Sequence, residues 1–122
     1  MKHISVLIVE DSRYSADINV RQIKKAGYKV DFRIVASKAE LQKELSEKKW
    51  DLILSDNSMP NFNALQALEV RNEVNRNIPF IIVSEHIADN EVKEAFLNGC
   101  SAYIPKANLA ELSVIINKIF SF

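Results

Sequence analysis

Four stretches of this chain place polar or charged residues directly after an apolar run. Glu10-Asp11 follow Ile4 to Val9, and Ser55-Asp56-Asn57-Ser58 follow Leu52 to Leu54. Ser84-Glu85-His86 follow Phe80 to Val83, and Pro105-Lys106 follow Ala102-Tyr103-Ile104. Carboxylates held close together repel, and without a cation at least one is driven toward its protonated form. A hard divalent cation relieves the repulsion, and Mg²⁺ suits a few carboxylates completed by a carbonyl and water. Lys106 would add a point charge able to hold an incoming phosphoryl oxygen. Ser84 can donate a hydrogen bond to the same group. An aspartate with a metal on one side and an ammonium on the other is equipped to accept a phosphoryl group, a reaction made mostly of positioning and charge neutralisation. A lone histidine such as His86 makes no metal site; with Glu85 it reads as a loop residue.

These residues meet only if the apolar runs are neighbouring strands. The runs, with Val30 to Val35 as the second, are rich in β-branched residues and read as continuous, as strands buried on both faces do. Helix-length segments separate them. Residues 12–26 put Ala16, Val20 and Ile23 on one stripe and end in Ala26-Gly27, a stop signal. Ser37 to Glu40 form a capping box ahead of Leu41 and Leu45. Leu65, Leu68 and Val74 give a weaker third helix. Asp89 or Asn90 is placed to cap a fourth, with Val92, Ala95, Phe96 and Gly99 on one face. Asn108, three residues before Glu111, is placed to cap a fifth carrying Leu109, Leu112, Ile115, Ile116 and Ile119 and reaching almost to Phe122. Trp50 reads as a packing residue between the second helix and the third strand. Strands alternating with helices imply an α/β doubly wound parallel sheet, either a Rossmann half or the flavodoxin-like order 2-1-3-4-5. In that second order the four polar stretches share one sheet edge, where ligands of such sheets bind.

Taken together, "LIVEDS" at 7–12, "DLILSDNSMP" at 51–60, "IPFIIVSE" at 78–85 and "GCSAYIPK" at 99–106 resemble the receiver domain of two-component response regulators. The likeness runs from Ile4 to about residue 120. It is nearest to receivers at the front of sensor proteins with PAS, histidine-kinase or GGDEF modules. It implies a five-stranded 2-1-3-4-5 sheet flanked by five helices and a phosphoacceptor aspartate, Asp56. Glu10, Asp11, Asp56 and the Ser58 backbone carbonyl would hold Mg²⁺. Lys106 and Ser84 would contact the phosphoryl group. Ser84 and Tyr103 would form the switch, and the fourth helix, fifth strand and fifth helix the switched face. Ser58, Glu85 and His86 stand where the lifetime of the phosphoryl group would be tuned. The implied partners are a histidine kinase or histidine phosphotransfer protein, a downstream effector or fused output domain, and a second copy through the switched face. A module that docks partners without phosphorylation, a pseudo-receiver, is the alternative. Asp11 as a plain helix cap and Tyr103 as plain packing remain open readings.

The chain departs from the family pattern in three places. Related receivers usually carry a glycine near residue 64, a small residue after Ser84 and a proline after Lys106. Here Ala64, Glu85 and Ala107 stand, which bears on phosphorylation rate and lifetime rather than on fold. Other functions fit less well. Sixteen basic and sixteen acidic residues leave no net charge to drive nucleic-acid or membrane-surface binding. Apolar runs of about six residues are far shorter than the roughly 20 that span a bilayer. The N-terminus lacks a signal-peptide core. One cysteine, Cys100, permits no intrachain disulfide. There is no P-loop or GxGxxG, and Ser58 stands where aspartate-nucleophile phosphatases usually carry a second aspartate. The reading is therefore a single cytoplasmic receiver domain over residues 1–122, whole or cut from a longer protein. It is a signalling domain and not an enzyme beyond its own aspartyl phosphorylation and dephosphorylation.

Overall fold

The computed structural model describes residues 2–120. Five parallel strands, β1 (Lys2–Val9), β2 (Tyr28–Val35), β3 (Leu52–Ser55), β4 (Phe80–Ser84) and β5 (Ala102–Pro105), form one sheet in the order β2-β1-β3-β4-β5. Helices α1 (Arg13–Lys25), α2 (Lys38–Glu47), α3 (Ala64–Val74), α4 (Asp89–Leu97) and α5 (Glu111–Ile119) connect and follow the strands. This is the doubly wound order expected of the receiver fold.

Alternation along β1 divides the core. Ile4, Val6 and Ile8 pack with Ala16, Val20 and Ile23 of α1 and Leu112 and Ile116 of α5. Leu7 and Val9 face the other way, toward Leu41 and Leu45 of α2, Leu68 of α3 and Ala95 of α4. Each buried Val, Leu or Ile on these stripes contributes about 1.5–3 kcal/mol over its exposed state. Trp50 is buried beside Leu45 as expected, and its Nε1 donates to the Glu44 carbonyl at 2.9 Å.

Two edge strands differ from the continuous pattern. β1, β3 and β4 are buried along their C-terminal halves, but β2 alternates, exposing Lys29, Asp31 and Arg33. It is an edge strand with one covered face, and charges at alternate positions protect its unpaired side. Pro105 ends β5 at the opposite edge, where a missing N–H costs least.

The helix termini both agree with and correct the expectations. Ser12 caps α1, its hydroxyl accepting from Ser15 N at 3.2 Å, so Asp11 is free of the capping role. Ser37 accepts from Glu40 N at 3.2 Å, as the capping box requires, and the Glu40 carboxylate reaches one residue further, to Ala36 N. Neither Asp89 nor Asn90 caps α4: Ala88 occupies that position, and Glu91 accepts from its N–H at 3.4 Å. Asn108 does not cap α5 but lies in a 3₁₀ turn, Lys106–Asn108, that precedes it, with Ala110 at the cap. α5 ends at Ile119, and residues 121 and 122, toward which it was expected to run, lie outside the described residues. On α3 the covered face is Ala64, Ala67, Leu68, Val70 and Arg71, while Val74 is exposed. On α4 only Ala95 of the expected stripe is buried, and Phe96 is about half exposed (47%). Gly27 and Gly99 both take positive φ, 98° and 96°, at the ends of α1 and α4, the left-handed exit that favours glycine.

Candidate functional site

β1 and β3 are adjacent, and the chain leaves them toward opposite faces, opening a crevice at their carboxyl ends. Into it the structure brings Glu10 from the end of β1, Asp56 from the end of β3, Ser84 from β4 and Lys106 from the turn after β5. Glu10, Asp56 and Ser84 are buried, and Asp11 is exposed beside them. One carboxylate oxygen from each of Glu10, Asp11 and Asp56 lies within 4.8 Å of the others. Lys106 Nζ sits 3.6 Å from both Glu10 Oε2 and Asp56 Oδ2, and donates to Ser15 Oγ at 3.5 Å.

The two buried carboxylates are held differently. Asp56 Oδ1 accepts from Asn57 N at 2.7 Å and Ser58 N at 3.1 Å, leaving Oδ2 directed to the lysine. Glu10 Oε1 accepts one N–H, from Ser12 at 3.1 Å. Its carboxyl is pushed up to about 7, chiefly by burial and further by the Asp56 charge, against the opposing pull of the Ser12 N–H and Lys106. This is the strain expected of crowded carboxylates sharing one ammonium. Three hard oxygen donors so arranged fit a small divalent cation.

Ser84 Oγ lies 3.4 Å from Ser58 Oγ and accepts from His86 N at 3.3 Å. Tyr103 is half-buried against the α2–α4 side of the core. Glu85 and His86 are not drawn into the cluster: their side chains are 64% and 86% exposed, with Glu85 Oε2 4.0 Å from His86 Nε2. Ala64, near which related receivers usually carry a glycine, is fully buried as the first residue of α3, and no non-glycine residue among those described has positive φ. That position therefore needs no glycine. The described residues contain no cis peptide bond, so the Lys106–Ala107 bond is trans.

Two residues of the crevice carry no assigned role in the sequence reading. Ser15 is one turn into α1, where a serine is unremarked, yet it shares Lys106. Asn57 joins three segments: its Nδ2 donates to the His86 carbonyl at 3.1 Å, and its Oδ1 accepts from Ala64 N at 3.1 Å. The one available signal for Asn57 was its place directly after Asp56.

The comparisons with known proteins agree with this architecture. The chain is 24% identical over 121 residues to hybrid signal transduction histidine kinase G of Dictyostelium discoideum, a match covering 96% of this chain and 4% of that protein. It is 27% identical over 115 residues to the DNA-binding transcriptional regulator NtrC of a Bradyrhizobium strain, covering 93% of this chain and 24% of that one. The chain thus spans a small part of these curated relatives. Among solved structures it superposes on the receiver domain of a sensor histidine kinase from Pseudomonas aeruginosa, which holds a magnesium ion in its active-site cleft. There the TM-score is 0.77 at 22% identity, covering 98% of this chain and 99% of the other. No helix among the described residues is long and apolar enough to cross a membrane. The model of the response regulator receiver domain matches residues 6–117, and with the sheet order and strand-end residues in agreement, the chain belongs to that family.

Proposed function

We propose that Asp56 accepts a phosphoryl group from a phospho-histidine donor, a histidine kinase or histidine phosphotransfer protein. The observation that carries this is the asymmetry of its carboxylate: Oδ1 is fixed by two backbone N–H groups and Oδ2 faces Lys106. Fixing one oxygen orients the other for attack without reorganisation during the reaction. An Asp56 oxygen attacks phosphorus and the P–N bond of the donor breaks. The imidazole keeps the electron pair and later takes a proton. Lys106 neutralises charge on the phosphoryl oxygens, and Ser84 donates to one of them. Glu10, Asp11, Asp56 and the Ser58 carbonyl would hold Mg²⁺, which supplies charge neutralisation at the same oxygens when bound.

The response we assign is a movement of Ser84 toward the phosphoryl group, accompanied by Tyr103 and read out on the α4–β5–α5 face. That face exposes Phe96, Leu97 and Val114, which suits docking of an effector, an output domain or a second copy. Ser58, Glu85 and His86 would set how long the phosphoryl group persists. The outward placement of Glu85 supports phosphorylation over a pseudo-receiver, because its carboxylate lies toward His86 and solvent.

Incubation with acetyl phosphate and Mg²⁺ should add one phosphoryl mass to the wild type and none to Asp56→Asn or to chelated protein. Labelling that persists in Asp56→Asn overturns the assignment. Amide shifts of Asp56 and Lys106 that stay still at about millimolar Mg²⁺ would favour the pseudo-receiver.

A further inference from the structure

The crevice contains a tie that phosphoryl chemistry does not require. Asn57 follows the proposed acceptor, but its side chain turns away from the carboxylates. Its Nδ2 donates to the carbonyl of His86 at 3.1 Å, and its Oδ1 accepts the N–H of Ala64, the first residue of α3, at 3.1 Å. His86 is also the residue that engages Ser84, through its N–H to Ser84 Oγ at 3.3 Å, and its carbonyl oxygen lies 3.4 Å from the same hydroxyl. The short segment after β4 is therefore gripped from two sides. Asn57 holds its carbonyl to the buried start of α3, and Ser84 holds its amide.

We infer that Asn57 is a positioning residue, a latch that holds the segment after β4 in the resting arrangement and so sets how readily Ser84 leaves His86 for a bound phosphoryl group. The inference rests on the phosphoacceptor reading. The Ser84 hydroxyl has one proton, and while that proton is directed at the His86 carbonyl, 3.4 Å away, it cannot go to a phosphoryl oxygen unless the segment moves or that bond breaks. Movement of the segment is opposed by a carboxamide anchored on the buried start of α3. Asparagine suits the task because it donates and accepts at once. Aspartate could keep Ala64 but not bind the His86 carbonyl. The latch biases a two-state segment and adds nothing to metal binding, so its removal should shift the phosphoryl equilibrium alone.

Beryllium fluoride, a phosphoryl mimic, provides the test. Titrations of wild type, Asn57→Ala and the size-preserving Asn57→Leu should give equal Mg²⁺ affinities. Beryllium fluoride should bind about 3- to 10-fold more tightly in both variants, the effect of one neutral hydrogen bond. In a Ser84→Ala background the same substitutions should change beryllium fluoride affinity by less than about twofold, since the latch acts through Ser84. Equal affinity in wild type and variants overturns the latch, as does a gain that survives Ser84→Ala or failure of both variants to fold. A wild type that binds Mg²⁺ but no beryllium fluoride overturns the phosphoacceptor reading, and the latch with it.

Discussion

The sheet has a buried charge cluster at each end, and the two are built on opposite terms. At the carboxyl edge Glu10 and Asp56 crowd around one ammonium, and Glu10 is pushed up to about 7. At the amino edge of β4 and β5 the guanidinium of Arg71 is 2% exposed. No carboxylate among the described residues pairs with it. Backbone carbonyls surround it instead. Nη1 donates to Arg76 O and to Ile78 O at 3.2 Å, Nη2 donates to Gly99 O at 2.8 Å, and the guanidinium carbon lies 6.0 Å from the centre of the Phe80 ring. Burial and the neighbouring Arg76 pull its pKa below the usual arginine value, yet arginine keeps its proton in proteins. Both terminal nitrogens of the guanidinium are met by fixed carbonyl dipoles, which tie the α3–β4 and α4–β5 connections to α3, while Nε is buried without a hydrogen-bond partner. The carboxyl-edge charges are left under-satisfied, so something that arrives can change their energy. The terminal nitrogens of the guanidinium are held by fixed groups, whereas the two buried carboxylates share a single ammonium.

The largest expected effect breaks the amino-edge cluster. Arg71→Ala orphans the carbonyls of Arg76, Ile78 and Gly99 and leaves a void beside Phe80, which should cost roughly 3–5 kcal/mol. The urea midpoint reads this loss. Mg²⁺ affinity of the remaining folded protein should match wild type. Arg71→Lys should recover only part of the stability, because a compact ammonium cannot span three carbonyls as a planar fork does. Full recovery would mean that charge, not geometry, holds the loops.

At the carboxyl edge the sign reverses. The Glu10 carboxyl binds its proton more tightly when folded than when unfolded. Stability of the metal-free protein should therefore fall as pH rises from about 4.5 to about 7, and stay low above that. Glu10→Gln keeps an acceptor for Ser12 N–H but carries no charge. It should stabilise the metal-free protein by about 1–3 kcal/mol at pH 8 and flatten the slope, while weakening Mg²⁺ binding. Thermal melts across pH, with chelator and with Mg²⁺, decide this. A wild type whose stability rises through the same window would show that Lys106 already balances the cluster.

The two ends were also unequally legible in the sequence. Glu10, Asp11, Asp56, Ser84 and Lys106 could be found because strand-end position alone brings such residues together once the sheet order is inferred. Arg71 could not, because a single arginine on a helix reads as solvated. Its partners are backbone carbonyls that leave no mark in residue type. The available signal was its spacing, three residues after Leu68 and four after Ala67, on the covered face of α3. Asn57 was hidden for the same reason. Asn63 and Gln66 form a reciprocal cap at 2.8 and 2.9 Å, and their i, i+3 spacing is visible in the sequence. β2 was read as continuous across Asp31 and Arg33, though the alternation of an edge strand was present in those residues.

The smallest predicted effect separates local backbone cost from the Arg71 clamp. Gly27 and Gly99 have nearly the same φ, 98° and 96°, so replacing either with alanine incurs a similar left-handed penalty, about 1–2 kcal/mol. Their surroundings differ. A Cβ on Gly27 meets nothing within 4 Å, whereas one on Gly99 lies 3.0 Å from Arg71 Nη2, the atom that donates to the Gly99 carbonyl at 2.8 Å. That nitrogen cannot withdraw without loosening its own bond. Gly99→Ala should therefore cost about 1 kcal/mol more than Gly27→Ala, the worth of one strained hydrogen bond. The excess should disappear when both glycine substitutions are repeated in Arg71→Ala, where there is no guanidinium left to displace. Denaturant midpoints of the five variants measure it. An excess that persists without Arg71 would place the cost in the loop before β5 itself, and the guanidinium would then be bound by that loop without bracing it.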